Sequence, residues 1–141
     1  MYNATLTLTG ISIVILVIVF ACSPNVSIKT AQYASNGQKL YATHCQNCHG
    51  TKGEGLGTLY PPLTDSEFLS KNRSQLATII KYGMNDTIVI SGNTFVGPMP
   101  GIPSLTDIDI AYILSYVTTT FGNETEIFSE QEVRNNLSVF Q

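Results

Sequence analysis

Tryptophan is absent from this 141-residue chain, histidine occurs only twice and cysteine three times. Charge is sparse and unsegregated: seven Lys and Arg stand against ten Asp and Glu, a net charge of −3, with no basic run. That pattern excludes a nucleic-acid surface, which needs clustered cations. No segment repeats, which excludes a solenoid or tandem array. No set of general acid, general base and nucleophile is evident, so bond-making catalysis is not expected. No apolar run reaches the roughly 20 residues that a helix needs to cross a bilayer core. The longest, Leu6 to Ala21, has 16.

That short run is a signal-peptide core rather than a permanent span. It ends in Val19-Phe20-Ala21-Cys22, which resembles the lipobox of bacterial lipoproteins, where a small residue precedes a cysteine that is lipidated and becomes the mature N-terminus. Cys22 is then the anchor. The first ten residues carry no Lys or Arg, so an uncleaved N-terminal anchor stands beside this reading. Either way the remaining chain is exported and tethered to a membrane. Residues 1–21 are read as leader, 22–33 as a polar tether, 34–123 as one domain and 124–141 as an extension with a short helix. About 120 residues suffice for one core and not two.

Within the domain, Ser35 or Asn36 is expected to cap a first helix running through Thr43, with Gly37 and Tyr41 on one face. A helical glycine costs about 1 kcal/mol relative to alanine, so another backbone is expected to come close there. The segment GTKGEGLGTLYPPL is a loop stiffened at Pro61-Pro62. Thr64 with Glu67 predicts a capping box opening a short helix through Leu69, and Leu76, Ile79 and Ile80 mark a helix over 74–82 that stops at Gly83. TIVISGNTFV reads as a small hairpin turning at Gly92-Asn93. GPMPGIP is a rigid extended segment with Met99 in its middle. Thr106 opens the strongest helix, with Asp107 and Asp109 in its first turn and Ile110, Ile113, Leu114 and Val117 at helical spacing. Ser129 with Glu132 predicts a last short helix through Val133 and Leu137.

The chemistry lies in Cys45-Gln46-Asn47-Cys48-His49. A zinc site needs four ligands wrapped tetrahedrally, normally as two separated pairs, and the only other histidine, His44, adjoins Cys45. A thioredoxin-type dithiol opens a helix after a core strand, whereas these thiols close one. A structural disulfide accounts for neither His49 nor the glycine-rich loop. Covalent haem attachment uses every residue: two thiols two apart add to the two vinyl groups on one porphyrin edge, and the histidine behind the second thiol becomes the proximal iron ligand.

Over residues 34–123 the chain resembles the class I, single-haem cytochromes c of bacterial membranes, through NGQKLYATHCQNCHGTKGEG, YPPL, GNTFVGPMP, LTDIDIAYILSYV and FGN in order. The resemblance implies an all-α cytochrome c fold, about four to five helices around one covalently bound haem c, with a small β-hairpin before the Met-ligand loop. It implies that the Gly37/Tyr41 face crosses the last helix near Tyr116. It also implies that the Pro61 carbonyl accepts the His49 Nδ1 proton, that Leu63 packs on the haem face and that Met99 is the distal ligand. Met84 follows a helix end without rigid flanks and reads as a core filler; His44 reads as a surface residue. Phe121 stands where similar proteins often have tryptophan.

The function expected is one-electron transfer by a His/Met-ligated haem in a membrane-tethered, periplasm-facing respiratory protein with a redox donor and a redox acceptor. Two alternatives stay open: an electron-entry subunit of a larger oxidase, reductase or dehydrogenase, and a haem-based gas sensor.

Overall fold

The computed structural model describes residues 27–139; the leader and Cys22 lie outside them. Six helices and four very short strands are formed among the described residues: α1 Ile28–His44, α2 Gln46–His49, α3 Ser66–Lys71, α4 Arg73–Tyr82, β1 Gly83–Met84, β2 Ile88–Ile90, β3 Asn93–Phe95, β4 Met99–Pro100, α5 Asp107–Thr120 and α6 Glu130–Ser138. The protein is mostly helical, as expected. None of these helices is long and apolar enough to cross a membrane.

Helix α1 starts earlier than Ser35 or Asn36. Ser27 is its N-cap, its hydroxyl accepting from the Thr30 N–H at 3.1 Å, so the helix takes up the second half of the stretch read as tether. The extra turns are held by tertiary packing: Tyr33 meets Tyr112 edge to face, centroids 4.8 Å apart. Four residues on, a Cβ at Gly37 would overlap the Tyr112 carbonyl and the Tyr116 Cβ. This is the close approach expected at that glycine. Tyr41 completes the stripe, buried against Tyr116 and Phe121 with centroids 5.4 and 5.5 Å away. Phe121 thus fills an aromatic position in the crossing.

Helix α5 opens with a capping box, Thr106 and Asp109 bonding each other's backbone N–H. Its buried residues, Ile110, Ala111, Ile113, Leu114 and Val117 among them, form the centre of the core with Leu69, Leu76, Ala77 and Ile80. The capping box expected at Thr64 with Glu67 does not form: Asp65, one residue on, is the N-cap of α3, accepting from the Phe68 N–H at 2.9 Å. Asp65 also reaches the hairpin, where its other oxygen takes the Ser91 hydroxyl at 2.8 Å. The hairpin pairs Ile88 with Phe95 and Ile90 with Asn93, so its turn is Ser91-Gly92, both at positive φ, rather than Gly92-Asn93. That geometry is the mirror-image turn matching strand twist.

A second ladder was not expected. β1 and β4 pair antiparallel, Gly83 opposite Pro100 and Met84 opposite Met99. The C-terminal stretch is no appendage either: Ser129 caps α6 as expected, and Phe128, Val133 and Leu137 are buried in the main core. Arg73 holds this stretch with hydrogen bonds to Glu124 at 2.6 Å and Glu132 at 2.8 Å while lying over the Phe128 ring.

Candidate functional site

The thiol motif straddles a kink. α1 ends at Cys45, whose N–H still bonds the Tyr41 carbonyl at 2.9 Å, and α2 turns the chain so that His49 is carried inward. His49 is only 7% exposed. The loop behind it folds back so that the Pro61 carbonyl lies 2.9 Å from His49 Nδ1. A carbonyl only accepts, so Nδ1 carries the proton and Nε2 is left with the lone pair. Burial lowers the His49 pKa, the Pro61 hydrogen bond opposing it, so the ring is kept neutral and able to ligate. The outward turn of the loop is held by Tyr41, whose hydroxyl donates to the Gly50 carbonyl at 2.7 Å.

Cys45, Cys48 and His49 open onto a cavity of about 360 Å³, walled by apolar side chains such as Ile80, Phe95 and Ile102. It lies in the roughly 300–1,000 Å³ range of cofactor sites. Both cysteines are free thiols and partly exposed. Burial, with the neighbouring Cys48 second, pushes the Cys45 pKa up to about 11. Cys45 is therefore a protonated thiol near neutral pH. No group of three or more His, Cys, Asp or Glu among the described residues is arranged to hold a metal ion. Two thiols at the rim of an apolar cavity, a neutral imidazole in its wall and thioethers across it fit a covalently attached porphyrin.

Of the sequence-predicted site residues that are described, all but Leu63 are brought together. Pro61 and Met99 line the cavity with the CxxCH motif, and exposed His44 sits at its rim. Leu63 does not line it; it packs against the core, with its N–H on the Gly53 carbonyl at 2.7 Å. Met84, expected to fill the core, lines the cavity instead. Its position depends on pairing with a strand 15 residues away, and no local pattern announces that pairing. Tyr60, Ile80 and Phe95 are likewise not among the expected site residues, although Ile80 is read as part of a helical apolar stripe.

Residues 34–121 match the Cytochrome c family model. The chain is also 30% identical over 109 residues to two proteins named Cytochrome c-552, both from Thermus thermophilus. These alignments cover 71% of this chain and 82% and 73% of the relatives. Family and cavity agree with the class I reading of the blocks, and what the family carries, haem c bound through a CxxCH motif, is what Cys45 and Cys48 are spaced for. The chain belongs to the cytochrome c family and is a haem-based electron carrier.

Proposed function

We propose that this is an exported, membrane-tethered cytochrome c of a respiratory chain, with haem c on Cys45 and Cys48 and iron held between His49 and Met99. The observation that carries the ligand set is the convergence on one apolar cavity of a buried imidazole, fixed at Nδ1 by Pro61, and a thioether mounted between two prolines. The bound haem supplies a one-electron iron couple.

The chain's residues set the conditions of that couple. The Pro61 carbonyl fixes the His49 ring and raises its basicity. Met99 is a soft ligand that favours the ferrous state, and the apolar walls disfavour the additional positive charge of the ferric one, so the potential is raised. Pro98 and Pro100 hold the Met99 backbone, which a weak ligand needs in order to stay bound. Partial exposure of Cys45 and Cys48 leaves the attachment edge accessible to a redox donor and acceptor. Tethering through Cys22, or through the apolar 6–21 segment, keeps the carrier at the membrane; export implies the periplasm or the cell exterior.

Absorption spectroscopy on protein matured in a haem-attaching host tests the ligation. The ferric form is expected to show the far-red sulfur-to-iron band, and the ferrous form to take up no carbon monoxide. Ready carbon monoxide binding would instead identify a gas-binding module.

A further inference from the structure

We infer that Met84 is a second distal thioether, able to ligate iron when the sulfur of Met99 leaves. This rests on the proposed Met99 ligation and extends it. In an antiparallel ladder, residues directly opposite one another send their side chains to the same face. Met84 stands opposite Met99, and both line the cavity that His49, Cys45 and Cys48 line. Neither is lost in the core: each is half-buried.

The two methionines are mounted on one backbone unit. Gly83 adopts φ 85°, ψ −179°, a region open essentially to glycine alone. A Cβ there would stand 2.5 Å from the Met99 carbonyl oxygen and 2.7 Å from the Gly101 nitrogen. The two backbones are therefore in direct contact where the methionines project. The same unit is tied to α4 by the Ile102 N–H on the Ile80 carbonyl at 2.9 Å. Lys81 Nζ adds bonds to the carbonyls of Pro103 at 2.8 Å and Leu105 at 2.6 Å. Rigid placement is what a weak thioether ligand requires, and Met84 shares it. Either Met84 or Met99 would hold the group through the same kind of thioether sulfur, so replacing one by the other would involve no oxidation or reduction.

The test compares the holoprotein with Met99→Leu and with Met84→Leu/Met99→Leu, a replacement of similar volume that cores tolerate at under about 1.5 kcal/mol. Ferric spectra and reduction midpoints are recorded for each. The expected result is that Met99→Leu keeps a sulfur-to-iron band, shifted from the parent's and with a changed midpoint, while the double variant loses it. Identical, bandless spectra for the two variants overturn the Met84 assignment and leave Met99 ligation standing. A Met99→Leu spectrum and midpoint identical to the parent's overturn Met99 ligation and, with it, the reserve role. A band persisting in the double variant overturns thioether ligation altogether. Should Met99→Leu yield no holoprotein, Met99→Ala and Met84→Leu/Met99→Ala are compared in the same way, with a sulfur-to-iron band expected in the first and lost in the second, and bandless spectra in both overturning the Met84 assignment.

Discussion

Where α1 crosses α5, contact is broad and apolar: Gly37 admits the Tyr112 carbonyl, and Tyr33, Tyr41, Tyr112, Tyr116 and Phe121 interlock around it. Across the cavity, the methionine-bearing segment is held by a ladder of two residues per strand, three prolines and a few hydrogen bonds from α4. The crossing leads into the CxxCH motif, Cys45, Cys48 and His49. The ladder carries Met84 and Met99, the thioethers proposed above as weaker, exchangeable ligands. A frame held by packed area fails globally when it fails, whereas a segment held by a few backbone bonds opens locally.

The largest expected effect breaks the first half of that contrast. Gly37→Ala forces the Tyr112 backbone and Tyr116 Cβ aside, with no flexible atom to yield. A loss of about 3 kcal/mol is expected, read as a lowered denaturant midpoint with all probes shifting together. An unchanged midpoint would remove the close crossing from the account. Gly83→Ala sharpens the second half. Its positive φ and contact with Met99 make a cost of about 2 kcal/mol expected. It should appear first as faster amide exchange over 83–101 and a weakened far-red band, before global unfolding changes.

The smallest effect lies where Asp65 ties the hairpin to α3. Asp65→Ala removes an N-cap, costing about 1 kcal/mol. Hydrogen bonds from the Phe68 N–H, then from the Ser91 hydroxyl, hold the Asp65 pKa below its ordinary value. A depressed folded pKa contributes stability above the unfolded carboxylate value and loses it as pH falls through the folded one. Because Asp65 is largely solvated, this pH-linked part is small. The gap between parent and variant stabilities should therefore narrow slightly in acid, and a gap that stays constant down to the acid limit would contradict the linkage.

Legibility in the sequence follows the same divide. The frame was readable because its signals are local and periodic: Thr106 with its first-turn acids, the Ile110 to Val117 stripe, the misplaced glycine at 37, the cap at Ser129. The CxxCH motif was readable because its spacing is dictated by the chemistry it performs. Four features were not. The first turns of α1 depend on Tyr33 reaching Tyr112, a contact 79 residues apart in sequence. The cap fell on Asp65 rather than Thr64 because its second oxygen serves Ser91, in another element. The methionine ladder is two residues long and nonlocal, too short to show a period and therefore invisible to one. The C-terminal stretch looked like an extension because its two key bonds, Ser115 Oγ to the Phe128 backbone and Arg73 to its carboxylates, are side-chain choices made across the core.

The central claim is covalent: one haem joined to Cys45 and Cys48. Mass spectrometry of the acid-denatured, acetone-extracted chain from a haem-attaching host tests it most directly. The account predicts a polypeptide that stays coloured and is heavier by one haem, and a Cys45→Ser/Cys48→Ser variant that emerges colourless at the mass of its polypeptide alone. A parent chain extracted without haem would contradict it.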